Sequence, residues 1–359
     1  MAENVVIAGM ARTPMGGMQG ALSDVAAPDL GADSIRASLE RAGAAPERVD
    51  ETIMGCVLPA GLGQAPARQA SLNAGIPDTT GCVTINKMCG SGMKAVMMGH
   101  DAIAAGSSDL IVAGGMESMT NAPYILPKMR GGLRLGHGEV LDHMFIDGLE
   151  DAYEKGRLMG TYAEDTSKHY GFTREAQDEF AIESLKRAQR AIDKGEFKRE
   201  IVPVKFATRK GETEIDTDEQ PGNARLDKIP QLKPAFAKDG TVTAANSSSI
   251  SDGAAAMILA SEDYATTNKL TVNARILGHA THAHEPAWFT TAPVSATRKL
   301  LDKLNWSVGD VDLFEVNEAF ACVAMAAMHE LNIPHEKLNI RGGACALGHP
   351  VGASGARII

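Results

Sequence analysis

Short apolar runs alternate with longer amphipathic stretches in the first third of the chain. The runs have the length of buried strands, and the stretches between them have helical spacing. The predicted strands cover residues 5–10, 52–57, 83–86 and 109–113, the last closed by Gly114 and Gly115, and the predicted helices cover residues 28–43, 66–74 and 89–105. Because strands and helices alternate, the pattern predicts an α/β layered fold.

The middle third of the chain is more polar than the rest. Residues 121–240 hold 20 of the 35 Lys and Arg residues and 22 of the 45 Asp and Glu residues. One amphipathic helix is predicted there from about residue 174 to residue 194, with Thr173 as its N-cap and Gly195 at its end. We interpret this segment as an inserted, solvated loop domain.

After residue 240 the α/β pattern returns. An Asn-Ser-Ser-Ser loop is predicted to lead into an alanine-rich helix that reaches residue 259. Residues 272–284 are predicted to form a long strand, residues 293–304 a helix and residues 313–316 a further strand.

The two ends of the chain resemble each other. VDETI at residues 49–53 corresponds to VDLFE at residues 311–315, and CGSG at residues 89–92 corresponds to GASG at residues 352–355. The offsets are 262 and 263 residues, and the same order at almost one offset predicts a duplicated α/β domain. The predicted units are a first half, a loop domain and a second half, covering residues 1–120 with 241–268, residues 121–240 and residues 269–359, respectively.

The repeat also gives an expectation about the C-terminus. In the first copy the glycine turn opens a full helix, whereas in the second copy the chain stops at Ile359, a few residues into the equivalent helix. A helix stub of this length has little intrinsic stability, so we expect the C-terminal end to be incomplete.

Composition and charge exclude several classes of protein. The chain has 359 residues, is 44% hydrophobic and carries a formal charge of −10. The apolar content excludes global disorder, and the charge argues against binding to nucleic acid or to an anionic membrane surface. No apolar run approaches the roughly 20 residues that span a bilayer, and no signal-peptide pattern is present. Five scattered cysteines do not make a disulfide framework, and we expect a cytoplasmic protein.

Cys89 is the first candidate for chemistry. It lies in NKMCGSGMKA between a predicted strand and a predicted helix, where unpaired N–H groups and the helix dipole favour a thiolate. The flanking glycines let a substrate carbonyl approach the backbone closely. The alternative is a buried packing cysteine, and position alone leaves both open for Cys89. The packing interpretation suits the other cysteines, Cys56, Cys82, Cys322 and Cys345.

His349 and Asn317 are the other candidates. His349 lies in the glycine-rich segment GGACALGHPVGASG and could act as the general base for a thiol, or simply be a satisfied loop histidine. The repeat favours the first interpretation, because it brings the two glycine turns to one cleft. Asn317, with Glu318, follows a predicted strand end and could orient a water or an oxyanion, or cap the next helix.

No metal site or phosphate loop is predicted. His279, His282, His284 and Glu285 are close in sequence but have no matched partner set, and neither a P-loop nor a dinucleotide-binding glycine pattern is present.

Four ordered motifs identify a family resemblance. NKMCGSGMKA, VAGGMESM, NEAFA and GGACALGHPVGASGA resemble the thiolases, and most closely the acetyl-CoA acetyltransferases of the biosynthetic type. The resemblance runs from residue 5 to the last residue and includes the segment GTVTAANSSSISDGAAA. It implies a duplicated five-layer α/β/α/β/α sandwich, with a loop domain that covers the coenzyme A site.

The resemblance also implies roles for individual residues. Cys89 would be the nucleophile that takes the acyl group, and His349 would activate it. Asn317 would hold a water that forms one oxyanion hole with His349, while the Cys89 N–H would serve a second. The substrates would be coenzyme A thioesters, with no separate cofactor and no metal. The positions implied to line or flank the coenzyme A tunnel are Ser248, Ala244, Phe236, Leu149, Met159, Phe320 and the basic Lys228. The loop RGGLRLG at residues 130–136 resembles one that holds a homotetramer together as a dimer of dimers.

Two departures from the family pattern keep alternatives open. The base for the condensation step is, in the family, a second cysteine in a Cys-x-Gly motif that lies beyond residue 359, and Cys322 and Cys345 lie in other motifs. Leu158 stands where some biosynthetic members have histidine. The expected activity is therefore acetyl-CoA acetyltransferase, with a broader-chain 3-ketoacyl-CoA thiolase and an acyl-CoA-binding form without turnover as alternatives. A ketoacyl synthase on the same fold is a less favoured alternative, because ketoacyl synthases lack the C-terminal Gly-His-Pro pattern that this chain has.

Overall fold

A computed structural model describes residues 4–209 and 211–359. Its strands are β1 Val5–Arg12, β2 Gly16–Gly17, β3 Glu51–Gly55, β4 Gly81–Ile85, β5 Leu110–Ser118, β6 Tyr124–Ile125, β7 Leu141–Asp142, β8 Val204–Thr208, β9 Gly211–Ile215, β10 Ser251–Ser261 and β11 Ala274–Ile276. Its helices are α1 Ala27–Ala42, α2 Pro66–Asn73, α3 Ser91–Ala104, α4 Met159–Tyr170, α5 Arg174–Asp193, α6 Glu219–Asn223, α7 Glu262–Thr267, α8 Ala292–Leu304, α9 Ala321–Leu331, α10 Ala344–Leu347 and α11 Val351–Arg357.

One mixed sheet organises the first half of the molecule. Its strand order is β11-β1-β10-β5-β3-β4, with β2 paired to β10. Strand β3 runs parallel to both β4 and β5, whereas β1 and β10 run antiparallel to their neighbours. Because successive side chains point to opposite faces, Met54 packs on the side of α1 and α2 while Ile53 packs on the side of α3. The sheet is therefore buried between helices on both faces, as the α/β prediction requires.

Residues 251–261 form a central strand, so the predicted alanine-rich helix is wrong. All eleven residues of β10 are buried, and the strand pairs with β1 on one side and β5 on the other. A short buried apolar run has no polar face, so its periodicity does not separate strand from helix. Strand β5 also continues through Gly114 and Gly115 to Ser118 rather than ending there. Glycine at position 114 permits the pairing with β10, because a side chain there would collide with the main chain of Ala255.

The predicted strands of the second half are shorter than expected. In place of a strand at residues 313–316, the described residues have a single parallel bridge between Phe314 and Leu338. The side chain of Asn339 explains this, since it accepts from the N–H of Val316 at 2.8 Å and donates to its carbonyl at 2.9 Å, in place of a neighbouring strand. Of residues 272–284 only β11 is a strand, and it pairs with the edge of β1.

Residues 121–240 contribute helices and two small hairpins above this framework. The hairpins are β6–β7 and β8–β9. Helix α5 begins where predicted, because Thr173 Oγ1 accepts a hydrogen bond from the N–H of Ala176 at 3.2 Å. Gly195, at φ +68°, follows the helix as predicted. Residues 127–140 are exposed throughout.

Candidate active site

Cys89 lies in a tight turn between β4 and α3. Met88 has φ +49°, and its N–H donates to Asn86 Oδ1 at 2.9 Å. The Ser91 hydroxyl donates to the Met88 carbonyl at 2.6 Å and accepts from the N–H of Lys87 at 2.8 Å. A non-glycine residue in the left-handed region is held there only by such surrounding bonds. The turn is thus fixed from three sides and presents the Cys89 thiol at the end of the strand.

His349 lies in a second turn, between α10 and α11. Gly348 precedes it at φ +105°, and a side chain there would lie only 2.4 Å from Ser251 Oγ. The N–H of His349 donates to the Ser249 carbonyl at 3.2 Å and to Ser251 Oγ at 3.1 Å. His349 itself is buried, with 5% of its surface exposed. The glycine-rich sequence therefore allows a backbone path that brings the main chain of His349 against the start of strand β10.

The two turns meet. His349 Nε2 lies 3.0 Å from Cys89 Sγ, although the residues are 260 positions apart. The approach depends on glycines that the repeat relates to each other, because added side chains would collide across the contact. A methyl group at Gly92 would lie 2.7 Å from Ala356 N, and one at Gly355 would lie 2.7 Å from Met93 N. The juxtaposition expected from the repeat is present.

Burial keeps both members of the pair neutral. It raises the pKa of the Cys89 thiol to about 11, and the charge of Glu117 adds to this. It lowers the pKa of His349 to about 4, with a further contribution from Arg357. The expectation that the helix N-terminus favours a resting thiolate is therefore wrong: desolvation outweighs the N–H groups. The resting state is a thiol beside a neutral imidazole, which can accept the proton as sulfur attacks.

Ser354 orients the imidazole, a role that the sequence analysis missed. Its hydroxyl lies 2.6 Å from His349 Nδ1 and donates to the Pro350 carbonyl at 3.1 Å. Because that hydroxyl hydrogen is used, Nδ1 carries the proton and donates to Ser354. Nε2 is then left as the acceptor facing Cys89. The available signal was the spacing of the two residues, with His349 just before α11 and Ser354 five positions further on within it.

Asn317 completes the cluster. Its Nδ2 lies 3.4 Å from His349 Nε2, and its Oδ1 is buried without a hydrogen-bond partner among the described residues. A buried carbonyl oxygen without a partner is costly unless a water or ligand occupies the space beside it. Asn317 thus has an acceptor free for a water next to the reacting pair.

Comparison with known proteins decides the family. Residues 5–263 match the model of the thiolase N-terminal domain, and residues 270–359 match that of the thiolase C-terminal domain. The chain belongs to the thiolase family. The resemblance inferred from the four motifs and the α/β thiolase fold class are confirmed.

Named relatives support the assignment of the chain to the thiolase family. It is 48% identical to an acetyl-CoA acetyltransferase of Pseudomonas aeruginosa over 99% of this chain and 91% of the relative. The corresponding protein of Cupriavidus necator is also 48% identical, with the same coverage. A probable acetyl-CoA acyltransferase of Staphylococcus aureus is 44% identical over 99% of this chain and 91% of its own length. A crystal structure of Acat5 thiolase from Ascaris suum in complex with coenzyme A superposes with a TM-score of 0.94 at 42% identity, covering 99% of this chain and 91% of that one.

Glu117, also absent from the sequence analysis as a functional residue, ties the thiolase halves together under the site. It is fully buried, and its carboxylate accepts from Val57 N at 2.9 Å, Leu58 N at 3.0 Å and Gly352 N at 2.8 Å. Burial raises its pKa to about 7, although the three N–H groups act in the opposite direction. Since Gly352 lies in the first turn of α11, just after His349, Glu117 fixes the second turn to the first half.

The predicted substrate positions fall into four groups. Phe236 contacts Phe320 edge-on with ring centroids 6.0 Å apart, and Met159 packs in the same apolar cluster. Leu149 packs instead in the cluster that contains Cys89. Ser248 donates its N–H to the Ala319 carbonyl at 2.9 Å. The two remaining positions, Ala244 and Lys228, are exposed to solvent.

Cys322 and Cys345 have packing environments. Cys322 Sγ lies 3.6 Å from the Ala163 carbonyl, and Cys345 Sγ lies 3.6 Å from the Glu318 carbonyl. Burial raises the pKa of the Cys322 thiol to about 12 and that of Cys345 far above its ordinary value. Glu318 itself accepts from Ser184 Oγ, Asn339 Nδ2 and Cys345 N, so it is a structural anchor.

Among the described residues no helix is both long and apolar enough to cross a membrane.

Proposed function

We propose that this thiolase is an acetyl-CoA C-acetyltransferase, which condenses two acetyl-CoA molecules to acetoacetyl-CoA and coenzyme A and also runs the reverse reaction. The observation that carries the proposal is the 3.0 Å contact between Cys89 Sγ and His349 Nε2 in a chain of this family. The acetyltransferase names of two relatives at 48% identity support the substrate.

The first half-reaction uses the neutral pair. Cys89 Sγ attacks the thioester carbonyl carbon of acetyl-CoA while His349 Nε2 takes the thiol proton. The carbon–sulfur bond to coenzyme A then breaks, and the leaving thiolate recovers the proton from the imidazolium. The products are an acetyl-cysteine and free coenzyme A. Splitting the reaction at a covalent intermediate replaces one difficult step by two easier ones.

The oxyanion of each step needs donors that are already in position. We assign the Cys89 N–H to the carbonyl that is bound to its own sulfur. A water on Asn317, together with His349 Nε2 while protonated, would serve the carbonyl of the second substrate. The unpartnered Oδ1 of Asn317 supports this, because it can accept from such a water and orient its other hydrogen. Preorganised donors of this kind contribute roughly 3–4 kcal/mol each.

The second half-reaction forms the carbon–carbon bond. A proton leaves the methyl group of a second acetyl-CoA, and the resulting enolate carbon attacks the acetyl-cysteine carbonyl. Cys89 sulfur then leaves and accepts a proton, which releases acetoacetyl-CoA. Cys322 and Cys345 do not fit as the base that takes the methyl proton, because each is buried against a main-chain carbonyl. Thiolase resemblance assigns that proton to the cysteine of a Cys-x-Gly motif.

The substrate path is proposed from the resemblance and from exposure. The apolar contacts of Phe236, Phe320 and Met159 suit a pantetheine arm, and Leu149 lies in the cluster of Cys89. Exposed Lys228 could meet the coenzyme A phosphates in an otherwise anionic protein. Coenzyme A thioesters are substrates here, and we propose no separate cofactor.

Acyl chain length is the finer part of the proposal. The Staphylococcus aureus relative carries the broader name acetyl-CoA acyltransferase, and Leu158 rather than histidine precedes α4. A broader-chain 3-ketoacyl-CoA thiolase is therefore the second candidate. Thiolysis rates for a series of 3-ketoacyl-CoA substrates separate the two: we expect the four-carbon substrate to give the highest kcat/KM. A longer optimum would favour the second candidate.

We further propose a homotetramer in the cytoplasm. The exposed segment of residues 127–140 includes Leu135, which is 98% exposed, and Met129 and Val140 are also exposed. A run of exposed apolar side chains suits contact with another copy of the chain. Light scattering of the purified protein should give the mass of four chains, and Leu135→Asp should reduce it.

Multiple turnover tests the reaction itself. The purified protein is incubated with acetoacetyl-CoA and coenzyme A, and acetyl-CoA is followed over many equivalents per chain. With the Cys-x-Gly segment that carries the second base present, we expect sustained turnover that is lost in Cys89→Ser and retained in Cys82→Ser, a matched cysteine outside the site. Acetylation of Cys89 without further turnover would instead favour the acyl-CoA-binding alternative.

A further inference from the structure

Three side chains of metal-ligand type come together far from the Cys89–His349 pair. His100 and Asp101 lie near the C-terminal end of α3, and His279 lies just after β11. One potential ligand atom from each residue lies within 4.8 Å of the others. His279 belongs to the part of the chain that matches the C-terminal thiolase domain, whereas α3 belongs to the N-terminal one. The cluster therefore joins the two halves.

The ligand atoms converge on one point. His279 Nε2 lies 2.7 Å from Asp101 Oδ1, and His100 Nδ1 lies 3.2 Å from the same oxygen. The two imidazole rings meet edge-on with centroids 5.0 Å apart. Ligands of a tetrahedral Zn²⁺ ion, each about 2.0–2.2 Å from the metal, lie roughly 3.3–3.6 Å from one another. Small side-chain adjustments therefore suffice to place an ion between the three atoms.

An ordinary ion pair is the simpler interpretation, but it explains less. A single imidazole would be enough to satisfy Asp101 Oδ1, yet both rings direct a nitrogen at that same oxygen. Two imidazoles and one carboxylate are also the donor set that zinc and its neighbours prefer. The side chains of His100 and His279 are only 18% and 23% exposed, so their nitrogens are already partly desolvated.

We propose that His100, Asp101 and His279 form a binding site for a divalent transition-metal ion of the Zn²⁺ class. The nitrogen donors disfavour Mg²⁺ and Ca²⁺, which prefer oxygen ligands. Three protein ligands leave a fourth position for water. This site revises the sequence-based expectation of no metal ligands. The sequence offered no partner set for His279 because Asp101 lies 178 residues before it, while the nearby His282 contacts His284 instead.

The ion would fasten the second half to the far end of the nucleophile helix. Helix α3 begins two residues after Cys89 and ends near the cluster. A bound ion stabilises the folded state by an amount that grows with free ion concentration over Kd. We therefore expect an effect on stability rather than on the chemical step.

Zinc binding to tag-free protein tests the site. Zn²⁺ titration by calorimetry should give one ion per chain, and Co²⁺ should give visible absorption of a low-symmetry site. Zinc should raise Tm, whereas Mg²⁺ should not. His279→Ala and Asp101→Asn should each weaken Zn²⁺ binding by at least about tenfold. Even changes to residues that only support a metal's ligands lower metal affinity by roughly 10- to 100-fold. His137→Ala, at an exposed histidine elsewhere, is the matched control and should bind zinc as the wild type does.

Three results would overturn the proposal. One is wild-type protein that binds no Zn²⁺ at micromolar concentrations. Another is unchanged affinity in both His279→Ala and Asp101→Asn, with circular dichroism showing that each variant is folded. The third is loss of binding in His282→Ala but not in His279→Ala, which would move the site to the His282–His284 pair.

Discussion

The turn at Cys89 and the turn at His349 lie in segments that match each other at almost one offset, yet they differ in how they are held. In the first turn, residues 86–88 are exposed, and Cys89 is half-buried behind the strained Met88. In the second turn, every residue from 346 to 356 is buried. The first is tied to its own neighbours Asn86 and Ser91, whereas the second is tied to β10 and to Glu117 of the other half.

This difference separates two tasks. The nucleophile must reach a substrate that arrives from solvent, so it stands at an accessible turn. The base must stay neutral and correctly oriented, and burial keeps His349 neutral by lowering its pKa to about 4. The two glycine turns thus support two chemical roles because their surroundings differ.

Removal of the base should have the largest effect. His349→Ala leaves the Cys89 thiol, whose pKa burial raises to about 11, without a proton acceptor. We expect the rate of acetylation to fall roughly 10²–10⁴-fold. The wild-type rate should persist as pH falls to 5.5, because His349 becomes protonated only near pH 4, whereas the variant's rate should climb with pH above 8. Stopped-flow acetylation against pH measures both. A wild-type rate that falls through pH 6.5 would mean an unperturbed imidazole.

Glu117 should make stability depend on pH. Its pKa is raised to about 7 from 4.5, so the native state binds this proton more tightly than the unfolded state does. Its contribution is complete below about pH 4.5 and is lost as pH rises through about 7, by up to about 3 kcal/mol. The free energy of unfolding of wild type minus that of Glu117→Gln should therefore fall between pH 4.5 and pH 7.

The matched control is Glu139→Gln in the exposed segment, which should leave the pH dependence of urea unfolding unchanged. A wild-type minus Glu117→Gln difference that is flat with pH, or that rises, would contradict a buried carboxylate at the junction of the halves.

The glycine contact should be symmetric. Gly92→Ala and Gly355→Ala each place a methyl group 2.7 Å from a main-chain nitrogen of the opposite helix. We expect each to lower the free energy of unfolding by roughly 1–3 kcal/mol, since neither backbone can move freely. Gly81→Ala, which adds a methyl group in open space, is the control. Destabilisation by only one of the two would show that the turns are not equivalent in packing.

Ser354 should have the smallest effect on catalysis. Ser354→Ala removes the acceptor of the Nδ1 hydrogen, which costs about 1–2 kcal/mol and lowers the acetylation rate roughly tenfold. KM for acetyl-CoA should change little, and Ser354→Thr should restore most of the rate. Ser107→Ala, at an exposed serine, is the control. An unchanged rate in Ser354→Ala would remove Ser354 from the account of His349 orientation.

More of the active site than of the fold could be predicted from the sequence. Cys89 and His349 could be paired because their glycine turns repeat at one offset, and glycine marks close approach. Strand β10 was mistaken for a helix because a segment buried on both faces has no polar face to set its period. The bond from Asn339 to Val316 was equally invisible, since it joins residues whose spacing fits no local motif.

The electrostatics of the site could not be predicted from local sequence. A cysteine before a helix suggests a thiolate, but the sign of its pKa shift depends on burial supplied by residues hundreds of positions away. The roles of Glu117 and Ser354 depend in the same way on how the two halves meet. The ligand cluster at His279 was missed because its partners lie in α3.

The mass of the intact protein after incubation with acetyl-CoA shows whether Cys89 and His349 react as a pair. We expect one acetyl group per chain in wild type and in Cys82→Ser, mapped to Cys89 by peptide analysis. We expect no cysteine-bound acetyl in Cys89→Ser and slow uptake in His349→Ala. Acetyl uptake that persists in Cys89→Ser, or wild-type uptake at another cysteine, would contradict the assignment of Cys89 and His349 as the reacting pair.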